Sequence, residues 1–165
     1  MRPALPLAAI LLAAAPAAAD ILGEGDYRAR YEALVSKPGI VAQGNPVIVD
    51  GDTLKIAGVR IRLDDIDAPE KRERCGGNPC GAQASAALGR LLGDWVVCDI
   101  VAGDVRYPRL IGRCNGAAGD AAAALVLLGY ARAEGPAYAA QEAEAKAALA
   151  GFWHPSRHLP EGWER

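Results

Sequence analysis

Six carboxylates and two arginines crowd one short stretch of this chain. Asp50, Asp52, Asp67 and Glu70 lie with Arg62 in VIVDGDTLKIAGVRIRLDDIDAPE, residues 47–70. Carboxylates set beside Val, Ile and Leu need a partner, because an isolated charge is costly to bury. Hard oxygen donors suit Ca²⁺ or Mg²⁺. Zinc fits poorly, since His154 and His158 stand far away near the end of the chain. Arg62 offers a planar fork of donors for a phosphate. Glu70 follows Pro69, whose fixed φ helps aim it, and a carboxylate there can orient or deprotonate a water. Charge growing on a phosphate's equatorial oxygens calls for a second arginine. Arg109 in RYPRLIGR is that candidate, in a strand with Tyr107 on the same side, whereas Arg106 and Arg113 read as surface charge. Lys71, Arg72 and Arg74 form a basic run able to guide a polyanion. Taken singly, Asp50-Gly51-Asp52 is a β-turn, Asp64 and Asp65 are solvated charges, and the basic run is a loop. The ordered set is what points to a metal and phosphate site.

Short strands joined by tight turns must position these groups. Strand signals cover roughly residues 39–49, 53–56 and 59–63, with Asp50-Gly51 and Ala57-Gly58 as turns. Ile61 and Leu63 face one side and Arg62 the other. Later strands are expected near 95–101 and 107–114, giving an α+β fold built on a five-stranded barrel. Three helices complete it. Ala84, Ala87, Leu88, Leu91 and Leu92 recur at helical spacing before Gly93. Asp120 is placed to cap a second helix over 121–128, and Tyr138–Ala150 makes the third, with Glu142 and Lys146 as an i,i+4 pair. Gly151-Phe152-Trp153 should pack on the domain, and the polar run HPSRHLPEGWER after it reads as a flexible tail.

The 165 residues suffice for one domain with a real core. Residues 1–19 carry one early charge, an apolar run and Ala17-Ala18-Ala19, the pattern of a secretory signal peptide cut near Ala19-Asp20. Residues 20–38 read as a leader packed at the domain edge, 39–153 as the domain and 154–165 as the tail. No later stretch reads as membrane-spanning. The formal net charge of the chain is −2, and cleavage would remove one more positive charge, Arg2. That balance argues against a broad basic face for long duplex DNA and favours brief contact at a cation-holding site. Cys75, Cys80, Cys98 and Cys114 permit three disulfide pairings in an exported chain. Cys75–Cys80 would close a small loop and Cys98–Cys114 would cross a hairpin. Their spacing lacks the close ligand pairs of structural zinc.

With these residues in view, the chain resembles the staphylococcal nuclease (thermonuclease) family. The likeness rests on VIVDGDTLKIAGVRIRLDDIDAPE, CGAQASAAL, YPRLIGRC, ALVLLGYARA and GFW, in that order, over about residues 40–153. It implies an OB-fold barrel with three helices, in a secreted or periplasmic monomer that cleaves DNA and/or RNA with Ca²⁺. The products implied are a 3′-phosphate and a 5′-hydroxyl. It further implies Asp52, Asp67 and the backbone carbonyl of Ala68 as metal ligands, Arg62 and Arg109 as phosphate contacts, Glu70 as the residue activating or positioning water, and Tyr107 beside the nucleotide phosphate. Lys71 and Arg72 are added as substrate-binding residues, and single-stranded or frayed nucleic acid as the preferred substrate. The chain makes two departures from the family pattern. Pro108 replaces the glycine between Tyr107 and Arg109, and Gly135 and Ala137 stand where base-stacking aromatics are usual, with Tyr130 or Tyr138 as substitutes. The rival expectation is an inactive OB-type module that binds nucleic acid or protein.

Overall fold

A computed structural model describes residues 39–104 and 109–164. The expected leader and signal segment, and Tyr107 and Pro108, lie outside the described residues. The strands are β1 (Val41–Gly44), β2 (Val47–Ile48), β3 (Thr53–Ile56), β4 (Val59–Leu63), β5 (Ile66–Asp67), β6 (Val96–Asp104), β7 (Arg109–Gly116), β8 (Gly119–Asp120) and β9 (Arg132–Ala133). The helices are α1 (Cys80–Leu92), α2 (Ala121–Leu127) and α3 (Ala139–Ala147), with 3₁₀ turns at Pro136–Tyr138 and Gly151–Trp153. The α+β reading holds. The expected strand over 39–49 divides in two at Asn45-Pro46, because proline has no N–H to give a ladder.

The main sheet runs β1-β6-β7-β4-β3-β2, with β8 added on β7. Every pairing is antiparallel except β4 with β7. β1 and β2 end this path on opposite edges, yet only Asn45 and Pro46 separate them in sequence. Edges so close in the chain can meet only if the sheet curls round, as in an OB-like barrel. A register shift between Ile100 and Ala102 helps β6 bend.

Leu54, Ile61, Leu63, Ile66, Val96 and Cys98 of the strands are fully buried, as are Leu88 and Leu92 of α1, Leu125 and Val126 of α2, and Phe152. In α1, Ala84, Ala87, Leu88 and Leu92 face inward and Leu91 is half-buried, as its spacing predicts. Asp120 caps α2, its Oδ1 accepting from the N–H groups of Ala122 and Ala123 at 3.0 and 3.1 Å. Its Oδ2 accepts from the Tyr138 hydroxyl at 3.1 Å. Cys75–Cys80 and Cys98–Cys114 are both disulfides, the second between residues directly opposite in the β6–β7 ladder. Among the described residues, no helix is long and apolar enough to cross a membrane.

The segment after Trp153 is not the loose tail that its polar composition suggests. Trp163 is 7% exposed and packs on Phe152 and Trp153, with ring centroids 5.9 and 4.9 Å away. The Glu161 N–H donates to Glu73 Oε1 at 3.3 Å and Arg157 Nη1 to Gln83 Oε1 at 2.9 Å. The His158 ring lies so close to Gly76 that any Cβ there would strike it. The burial of one large aromatic, together with these hydrogen bonds and the His158 contact, anchors the polar run around it on the domain.

Candidate active site

The register of β3 and β4 builds the centre of the site. Thr53 and Arg62 are directly opposed, and the Leu63 N–H donates to the Asp52 carbonyl at 2.8 Å. Asp52 therefore sits at the mouth of the hairpin, 3% exposed. Its Oδ1 accepts from the Thr53 hydroxyl at 2.7 Å and its Oδ2 lies 3.1 Å from Arg62 Nη2. Burial pushes the Asp52 carboxyl above its ordinary range, and Arg62 pulls the other way without cancelling it.

Asp67 comes from β5, which pairs with β9 at the other side of Arg62. Its Oδ1 is 3.5 Å from Arg62 Nη2, which also donates to the Ile66 carbonyl at 3.2 Å. Glu134 Oε2 is 3.5 Å from the same nitrogen. One guanidinium thus bridges carboxylates from three parts of the chain. Asp67 Oδ2 takes a second arginine, Arg132 Nε, at 3.0 Å.

Glu70 is carried by a loop clasped from several directions. The Glu73 N–H donates to the Glu70 carbonyl at 2.7 Å, and the Glu70 N–H to Glu73 Oε2 at 3.2 Å. Gly81 packs so tightly on the Glu70 carbonyl that a Cβ would lie 1.6 Å from its oxygen. Asp50 Oδ1 accepts from the Lys71 N–H at 3.1 Å, tying the DGDT turn to this loop. Gly51 approaches Ala68, Pro69 and Ala84 closely enough that a Cβ would come within 3.0 Å of each. Partial desolvation raises the exposed Glu70 carboxyl above its ordinary value, and the charges of Asp50 and Asp52 add to the rise.

Arg109 opens β7, and Ile111 two residues on is the β4 partner of Arg62. Strand parity therefore puts Arg109 on the sheet face of Arg62. Lys71 and Arg72 are exposed, while Arg74 turns back to donate to the Gly77 carbonyl. Arg113 is exposed and pairs with Asp64 at 3.1 Å and Asp65 at 4.0 Å, agreeing with its reading as surface charge. A cleft of about 520 Å³ opens beside the cluster, lined by Arg62, Asp64, Ile111, Arg132, Ala133 and Glu134 among others.

The sequence argument overlooked Arg132 and Glu134. The available signal was weak: a charge between two alanines in Tyr130-Ala131-Arg132-Ala133-Glu134, at strand parity.

The set of carboxylates at Asp52, with those of Asp50, Asp67 and Glu70, offers oxygen alone, and no three of the four draw together into a tight cluster. It includes a buried carboxylate whose ionised form is poorly solvated, so a hard divalent cation fits the chemistry. Among the described residues, the one tight cluster of metal-binding side-chain types is Glu73, Cys75 and Cys80, whose cysteines are consumed by their disulfide.

Residues 60–155 match the model of the family described as staphylococcal nuclease homologue. Over 78 residues the chain is 36% identical to the succinoglycan biosynthesis protein ExoI of Rhizobium meliloti (strain 1021). That alignment covers 43% of this chain and 40% of the length of ExoI.

Proposed function

The chain belongs to the staphylococcal nuclease homologue family, and from that premise we propose that it is an exported, Ca²⁺-dependent nuclease of DNA and RNA. The observation that carries this reading is the convergence of Asp52, at the mouth of the β3–β4 hairpin, and Asp67, in the β5–β9 pair, on the guanidinium of Arg62. In this proposal Asp52, Asp67 and the Ala68 carbonyl hold the cation, which supplies charge neutralisation at the phosphate. Arg62 and Arg109 grip the phosphodiester and offset charge developing on its equatorial oxygens. Glu70 orients a water and accepts its proton as the water oxygen bonds to phosphorus. The bond from phosphorus to the 5′-oxygen breaks, and that oxygen takes a proton from solvent, leaving a 3′-phosphate and a 5′-hydroxyl. Lys71 and Arg72 guide the strand from the exposed side of the loop, and Tyr107 stands beside the phosphate.

Few base contacts are available, since Gly135 and Ala137 replace the family's aromatics. Single-stranded or frayed DNA and RNA are the substrates this favours. The two disulfides support an oxidising compartment, the periplasm or the exterior, with the chain acting as a monomer. The same missing aromatics favour, as second reading, a non-catalytic module for nucleic acid or protein.

Release of acid-soluble nucleotides from single-stranded DNA and RNA tests the reading, run with Ca²⁺, with chelator and with Glu70→Gln. Cleavage that needs Ca²⁺ and is lost in the variant is the expected result. A folded, oxidised protein that binds single strands without cutting them is the module instead.

A further inference from the structure

Arg132 is the cross-strand partner of Asp67 in the β5–β9 ladder, so its position is set by backbone pairing and not by a flexible loop. Two of its three nitrogens are committed. Nε holds Asp67 Oδ2 at 3.0 Å, and Nη1 donates to the Gly162 carbonyl at 3.1 Å. Gly162 is itself fixed by its neighbour Trp163, buried on Phe152 and Trp153. On the far side of β9, the Ala133 N–H donates to Glu142 Oε2 at 2.7 Å, and the Glu134 N–H to the Asp65 carbonyl at 2.9 Å. Nη2 has no hydrogen-bond partner among the described residues, and the side chain is 37% exposed along the cleft it shares with Arg62.

A guanidinium anchored on two sides with its third nitrogen open has already lost most of its rotamer freedom. Such a group gives up little entropy when it takes an anion. The carboxylates lining the cleft are offset in part, since Asp64 and Asp65 share Arg113 and Glu134 shares Arg62 with Asp52 and Asp67, and the cation assigned above to Asp52 and Asp67 would supply the remaining positive charge.

We propose that Arg132 is a third phosphate-binding arginine of the site, its free Nη2 edge taking the phosphate next to the one held by Arg62. The C-terminal segment is then part of the binding machinery, since its Gly162 carbonyl fixes the arginine. This inference rests on the nuclease reading above.

The test measures binding of single-stranded DNA to the full chain with Ca²⁺ over a series of salt concentrations. A Glu70→Gln background prevents hydrolysis. Arg132→Gln should weaken binding roughly tenfold, as for loss of a charge-assisted hydrogen bond. It should also make the log-affinity against log-salt slope shallower by about 0.7, the value of one phosphate contact on a single strand. Arg132→Lys should keep the slope while losing affinity, because an ammonium cannot bridge Asp67, Gly162 and a phosphate together.

Calorimetry of Ca²⁺ binding without DNA, on the same variants, isolates the effect on Asp67. Weaker Ca²⁺ binding with an unchanged salt slope would make Arg132 a support for Asp67 alone and overturn the proposal. If Arg132→Gln does not fold, the lysine variant decides, and unchanged affinity in it also overturns the proposal. Failure of the Glu70→Gln protein itself to bind DNA removes the nuclease reading, whereas binding that ignores position 132 removes only this inference.

Discussion

Asp52 Oδ2 and Arg62 Nη2 are 3.1 Å apart, but the pair does not share its burial: the aspartate side chain is 5% exposed and the arginine 20%. Arg62 keeps contact with water and has Asp67 and Glu134 as further partners. Asp52 bears the desolvation, which is why its carboxyl titrates above the ordinary range despite the arginine.

Asp52→Asn should therefore abolish cleavage and stabilise the fold. A carboxyl with a raised folded-state pKa stabilises fully below its unfolded value, and that contribution is lost as pH rises through the folded value. The variant's advantage should be small in acid and grow as pH rises towards neutral. Denaturant melts of both proteins across that range check the sign.

Arg62→Gln should act in the opposite sense on stability. It leaves Asp52 buried without its cation and brings Asp67 and Glu134 into mutual repulsion. A loss of about 3 kcal/mol is expected for breaking a buried pair from one side, with cleavage down roughly 10² to 10³-fold. Comparing kcat/KM with the melting midpoint separates the two effects.

Glu70 gives a pH signature. If it accepts a proton from water, the rate rises as pH passes through its raised pKa, so the ascending limb should lie above the ordinary glutamate value. Asp50 adds to that rise by its charge and by a hydrogen bond between the two side chains. Asp50→Asn should move the limb to lower pH. A limb that stays in place in that variant would assign it to another group.

Replacing Cys75 and Cys80 together by serine should cost about 2 kcal/mol, the chain-entropy value for so short a loop. Cleavage should fall further than global stability explains, because the same loop carries Glu70 and seats Gly81 against its carbonyl. Activity measured well below the melting temperature of the variant shows whether the loss is local.

Trp163→Ala should cost about 3 kcal/mol, as large core truncations do, where a loose tail would cost nothing. Thermal unfolding of the full chain checks it.

What could be read in the chain divides by sequence distance. Asp52, Arg62, Asp67 and Glu70 were legible because one hairpin and its following loop carry them all, and strand parity and turn residues act over that range. The helices were legible for the same reason, down to the Asp120 cap. Arg132 meets Asp67 across 65 residues, and no local periodicity reports a pairing of two-residue strands. Trp163 was misread because composition averages over a segment, whereas packing is decided by its largest side chain. The split of the first strand at Asn45-Pro46 lay in plain view as a proline, but its effect on topology needed the partners of both halves.

That split governs the order in which the chain can fold. β1 finds its partner in β6, more than fifty residues downstream by its register of Val41 with Asp99, while β2 pairs at once with β3. A growing chain can close the β2–β3–β4 meander early, but β1 must wait for β6, and β4 must wait for β7. Loop-closure entropy is thus met late, and a fragment ending before Val96 carries two unfilled strand edges open to other chains.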